Sequence, residues 1–221
     1  MPLRALLFDF DGLVLDTEFP TYEAWRDDYL AHGHDLPLEL YVACVGSDFH
    51  RFDPKSHLES LVGTFIDWTE RDPRREKLAL DRVHALPPLP GVVDLLEAAA
   101  FAGIPCAVAS SSPRSWVEGH LDRLGLLHHF AALRCLDDVR APKPAPDLFL
   151  AAASALGVDP ADALVLEDSR NGLLAAQAAG CPCLVVPNRV TSGLDFTGAA
   201  AVIESLIEVH PEALAAYFPF P

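Results

Sequence analysis

The sequence predicts an α/β protein, built on a parallel β-sheet with a small all-helical segment inserted after the first strand. Three observations carry this expectation. From residue 92 onward, short apolar runs of strand length alternate with longer runs at helical spacing. Glycines mark the joints between them. Between about residues 17 and 82 the apolar spacing is helical and no convincing strand is found.

The elements follow in order. Residues 4–10 form an apolar run that ends in acids and Gly12, the pattern of a strand buried on both faces. Helical spacing recurs at 22–26 and 57–62. The stretch Leu86-Pro87-Pro88-Leu89-Pro90-Gly91 is a stiff linker that stops one element and opens the next. After it the pattern predicts helices at 92–102, 113–124, 146–156 and 171–179, and strands at 104–109, 131–136, 163–166 and 183–186. The expected division is a core of 1–16 and 87–221 and an inserted helical domain of 17–86.

Composition narrows the function. The chain has 221 residues, 51% of them hydrophobic, enough for a sizeable core. It carries 32 acidic against 16 basic residues, a net charge of −16. That balance speaks against nucleic acid as a partner, since phosphate backbones need a basic surface. The five Cys include no CxxC pair, the nearest spacing being Cys181-Pro182-Cys183. They read as small buried hydrophobes in a reducing, cytoplasmic setting. An acid as early as Asp9 argues against a signal peptide. The uncharged run between Arg170 and Arg189 is broken by Gly180, Pro182 and Pro187, so no membrane span is expected.

Polar residues collect where the strands end: Asp9 and Asp11, Ser110, and Glu167 with Asp168. In open α/β sheets ligands bind outside the carboxyl ends of the strands, so these residues are expected to converge. The helical insert, following the first strand, is expected to lie over that edge as a lid. Strand alternation puts Asp9 and Asp11 on one side, about 6–7 Å apart. Two close carboxylates repel, and a divalent cation relieves the repulsion; an oxygen-rich site suits magnesium. Only three basic residues are Lys (Lys55, Lys77, Lys143), which draws attention to each.

The stretch Asp9-Phe10-Asp11-Gly12, followed by Asp16-Thr17-Glu18, resembles the first motif of the haloacid dehalogenase (HAD) superfamily. Ser110 at a strand end, Lys143-Pro144-Ala145-Pro146-Asp147, and Glu167-Asp168-Ser169-Arg170-Asn171-Gly172 resemble its second, third and fourth motifs, in order. The insert, with Ala24-Trp25 and Val45-Gly46, is similar to the helical cap of the subgroup holding beta-phosphoglucomutase and many sugar-phosphate phosphatases. The resemblance implies a Rossmann-like core and hydrolysis of a small phosphorylated metabolite. It implies Asp9 as nucleophile and Asp11 as general acid and base. It implies Mg2+ held by Asp9, Asp168 and the Asp11 carbonyl, with Glu167 as ligand or supporting group. Ser110 and the Ser111 N–H would hold phosphoryl oxygens, and Lys143 would neutralise charge.

Competing readings stay open at several positions. Ser110 could serve only as a helix N-cap, Glu167 only as structure, and Lys143 as a surface lysine. Arg114, Gly46 and Arg51 are weaker candidates for substrate contact, as are His50 and Lys55. A beta-phosphoglucomutase-like phosphomutase is the rival activity. It is disfavoured by Thr21, where those mutases usually carry His, and by Pro113-Arg114, where they tend to carry Lys-Asn. A non-catalytic binding protein on the same fold is a third reading. The aromatic stretch 217–221 could pack on its own domain or on a second subunit, leaving monomer or homodimer open.

Overall fold

The computed structural model describes residues 3–42 and 52–209. It divides into two compact units, one of Met1–Leu15 with Pro87–Pro221, the other of Asp16–Leu86.

The first unit is a six-stranded parallel sheet in the order β3-β2-β1-β4-β5-β6. The strands are β1 (Ala5–Phe8), β2 (Cys106–Ala109), β3 (Phe130–Arg134), β4 (Ala163–Glu167), β5 (Cys183–Val185) and β6 (Ala201–Val202). Every residue of β1, β2, β4 and β5 is buried, as expected of strands covered on both faces. One face bears Ala5, Leu7, Ala107, Ala109, Ala163 and Val165, which pack in one apolar cluster with Leu148, Phe149, Ala152, Leu173 and Ala176. Those partners belong to two helices, Asp147–Leu156 and Arg170–Ala179. Side chains alternate along a strand, so Leu6, Phe8 and Val108 face the other way. The helices Val92–Phe101 and Arg114–Arg123 supply buried apolar residues for that side, including Val92, Leu95, Val117 and Leu121.

In the second unit four helices are described: α1 (Glu18–Ala31), α2 (Leu38–Tyr41), α3 (Pro54–Val62) and α4 (Trp68–His84). The helices above then become α5 (Val92–Phe101), α6 (Arg114–Arg123), α7 (Asp147–Leu156) and α8 (Arg170–Ala179). Tyr22, Trp25, Tyr29, Leu36, Tyr41, Phe52, Leu58 and Ile66 form the core of this unit. Asp16, part of the first motif, accepts a hydrogen bond from Phe19 N–H at 3.1 Å and so caps the start of α1. Lys55 is paired with Asp72 and lies over the Trp68 ring, which commits it to the unit's own packing.

Several expected boundaries moved. β1 stops at Phe8, because at Phe10 the chain begins a tight turn in which Val14 N–H donates to the Phe10 carbonyl. Asp9 and Asp11 therefore do not sit on a strand, and turn geometry rather than alternation sets their positions. The third strand ends at Arg134; beyond it Cys135 N–H donates to Asp138 Oδ2, and Leu136–Asp138 form a 3-10 turn. β6 was not expected, since two residues carry no periodicity. Among the described residues no helix is long and apolar enough to cross a membrane. Gly46, His50, Arg51 and residues 217–221 lie outside the described residues.

Candidate active site

The strand order reverses at β1, with β2 on one side and β4 on the other. Such a crevice is where ligands bind in open α/β sheets. Asp9 follows β1, Ser110 follows β2, and Glu167 ends β4 with Asp168 next. All four are buried.

Lys143 ties the group together. Its ammonium donates to Asp9 Oδ1 and, at 2.7 Å, to Glu167 Oε1. Burial alone would lower the Lys143 pKa, but the two carboxylates outweigh it and raise it, so the side chain stays charged. Asp9 is pushed up to about 8. Burial is the largest cause; Lys143 opposes it, while Glu167 and Asp11 add to the rise. The site thus holds more negative charge than one ammonium offsets.

Glu167 has both oxygens engaged. Oε2 accepts from the Asp168 N–H (2.9 Å), the Ser169 N–H (2.8 Å) and Ser169 Oγ (2.9 Å). Ser169 is also the N-cap of α8, accepting from Gly172 N–H at 3.0 Å. A side chain on Gly172 would overlap the Glu167 carboxylate, so only glycine lets that carboxylate lie against the helix start. These contacts give Glu167 the work of holding Lys143 and the start of α8.

Asp168 Oδ2 accepts from Asn188 Nδ2 at 2.7 Å, and the same amide donates to the Gly12 carbonyl at 3.2 Å. Asn188 Oδ1 in turn accepts from the N–H groups of Val190 (2.8 Å) and Thr191 (3.1 Å), which fixes the amide's orientation. Gly12 has φ of 84°, and a side chain there would meet Asp168 and Asn188. Carboxylate oxygens of Asp9, Glu167 and Asp168 lie within 4.8 Å of one another. Hard oxygen donors in an over-charged buried pocket fit a small divalent cation.

Asp11 stands on the other side of the turn. Its Oδ2 accepts from Ser112 Oγ (2.6 Å) and Ser110 Oγ (3.3 Å), and its Oδ1 from Trp116 Nε1 (2.8 Å). Ser110 Oγ also accepts from the Ser112 N–H, and Ser111 Oγ from the Lys143 N–H. Asp9, Asp11, Ser110, Ser111, Lys143, Glu167 and Asp168 are thus brought together. Arg114 is committed elsewhere, to Asp138 Oδ2 (2.7 Å) and the Leu133 carbonyl (3.1 Å). Sequence reasoning missed Ser112, Trp116 and Asn188. Asn188 had one legible signal: like the others it follows the carboxyl end of a strand.

Known proteins resemble this chain throughout. A family model for haloacid dehalogenase-like hydrolases matches residues 3–180. YhcW of Bacillus subtilis strain 168 is 40% identical over 207 residues, covering 94% of each chain. The fructose-1-phosphate phosphatase YqaB of Escherichia coli K12 is 34% identical over 184 residues, covering 79% of this chain and 92% of its own. A HAD family hydrolase of Deinococcus radiodurans R1, solved with bound phosphate and sodium, matches with a TM-score of 0.77 at 26% identity. That match covers 100% of this chain and 99% of the other.

Proposed function

The chain belongs to the haloacid dehalogenase-like hydrolases, and on that premise we propose that it is a cytoplasmic, magnesium-dependent phosphatase of small organic phosphate monoesters, sugar phosphates foremost. The observation that carries the reading is the cluster around Lys143: one buried ammonium between Asp9 and Glu167, with Asp168 beside them. A binding protein needs no buried carboxylate held against an ammonium at such cost. The phosphatase named for fructose 1-phosphate among its relatives supports the substrate class.

In this reading Asp9 attacks phosphorus in line and becomes an aspartyl-phosphate, while Asp11 gives a proton to the leaving oxygen. Asp11 then takes a proton from the water that releases inorganic phosphate. Ser110 and the Ser111 N–H grip phosphoryl oxygens, and Lys143 offsets their charge. Asp9, Asp168 and the Asp11 carbonyl would hold Mg2+, with Glu167 supporting them. When bound, the ion supplies positive charge that favours ionised Asp9 and a dianionic substrate. The unit Asp16–Leu86 is the cap that selects the substrate, and the other unit is the catalytic core.

The test is phosphate release from a panel of sugar phosphates with MgCl2, including fructose 1-phosphate. We expect turnover that falls on the order of 10³-fold or more in Asp9→Asn. Undiminished turnover in that variant would overturn the reading. With a sugar 1-phosphate and a bisphosphate primer, phosphate release is expected to outrun formation of the 6-phosphate isomer.

A further inference from the structure

We propose that Trp116 is a positioning residue for Asp11, and that it selects which carboxylate oxygen carries the exchanged proton. The inference rests on Asp11 acting as the acid and base of the proposed phosphatase.

Three side chains donate to the Asp11 carboxylate, and they differ in kind. Ser110 and Ser112 present hydroxyls, which rotate and can turn their hydrogen toward another acceptor. Trp116 presents an indole N–H, which only donates and points along one fixed direction. The indole is itself held: Trp116 packs edge-on against buried His120, one turn further along α6, with ring centroids 4.3 Å apart. Its hydrogen bond to Oδ1, at 2.8 Å, therefore has a fixed direction that the two serine hydroxyls lack.

The consequence follows from the valence of a carboxyl group. In the neutral acid one oxygen is a carbonyl, which accepts, and the other bears hydrogen. With Oδ1 held by the N–H, Oδ1 is the carbonyl and Oδ2 bears the proton. Oδ2 is the oxygen shared with Ser110, the serine assigned to the phosphoryl group. When the Ser110 and Ser112 hydroxyls turn their hydrogens to other acceptors, Ser110 to a phosphoryl oxygen, Oδ2 is freed for the reacting bond. In the first step the P–O bond to the leaving group breaks, its electron pair stays on the leaving oxygen, and the Oδ2 proton passes to that oxygen. In the second step water loses a proton to Oδ2 as its oxygen bonds to phosphorus and the aspartyl-phosphate bond breaks. Oδ1 remains the acceptor from Trp116 in both charge states.

Leaving-group dependence tests this. Phenyl phosphate and p-nitrophenyl phosphate share a ring, but the phenolate leaving group is far more basic and needs the proton more. Trp116→Phe removes the N–H while leaving an aromatic ring beside His120. We expect kcat/KM toward phenyl phosphate to fall about 10- to 100-fold, as for loss of one hydrogen bond to a charged group, and toward p-nitrophenyl phosphate by less than about threefold. The ratio of the two rates in one sample does not depend on the fraction of protein that is folded. An unchanged ratio, whether both rates fall or neither does, would overturn the role of Trp116. Asp11→Asn separates this from the parent reading: it should shift the same ratio further. If Asp11→Asn leaves the ratio unchanged, Asp11 is not the acid and both statements fall.

Discussion

Asn188 shows how a single amide can set the geometry of a charged site. Its Nδ2 holds Asp168 Oδ2, while its Oδ1 is pinned by two backbone N–H groups from the following turn. Asp168 is thereby aimed before any ligand arrives. Asn188→Ala should weaken Mg2+ binding by about tenfold, the low end of what losing a group behind a metal ligand costs. Calorimetric titration with MgCl2 measures it without reference to turnover. Asp9, Glu167 and Asp168 were legible in the sequence because each stands in a motif at a strand end, and Lys143 because it opens the Lys143-Pro144-Ala145-Pro146-Asp147 motif before α7. Trp116 and, but for its place after a strand, Asn188 stand in no such motif, and only the fold shows that Asn188 meets Gly12 and Trp116 meets Asp11. Local pattern does not encode such a meeting.

Two helix starts, those of α3 and α4, are capped by the aspartate that precedes them, and α3 is the clearer case. Asp53 precedes Pro54 and accepts from the N–H groups of Lys55 (3.0 Å) and Ser56 (3.4 Å), while Gly63 closes the helix with φ of 74°. Asp53→Ala removes that cap and should cost about 1 kcal/mol, read as a lower midpoint in urea denaturation. The helices from residue 92 onward were legible because glycine, proline or serine before each start and a glycine after each end bracket a periodic run, whereas α2 and α4 were not placed. Strand ends were less so. Where Cys135 and Asp138 close a 3-10 turn, apolar content continues past the last paired residue, and hydropathy alone reads on through it. Asp16, quoted for its place in the first motif, turned out to have a local task in starting α1.

The sheet as a unit was legible in type but not in order. Alternating strands and helices point to parallel pairing, yet nothing in a run such as Ala163–Glu167 says that it will lie beside β1. That placement brings Asp9, Glu167 and Asp168 together, and it concentrates charge in a protein already at −16. A cation that binds only the assembled site must stabilise it by mass action. At about 100 times its dissociation constant Mg2+ should add about 2.7 kcal/mol, raising the melting temperature by roughly 5–10 °C in calorimetry. EDTA should reverse the shift, and Asp168→Asn should remove most of it.

The central position of β1 has a further consequence, in the order of assembly. Ala5 to Phe8 leave the ribosome before either neighbour exists, and Ala5 pairs with Ala163. The middle strand, the most apolar segment of the early chain, must therefore wait while most of the polypeptide is synthesised. Contacts so distant in sequence make for slow folding and a long exposure to wrong partners. The carboxylate Asp9 at its end acquires Asp168 only when β4 docks, so the acidic cluster assembles late and marks the closing of the sheet around its first strand.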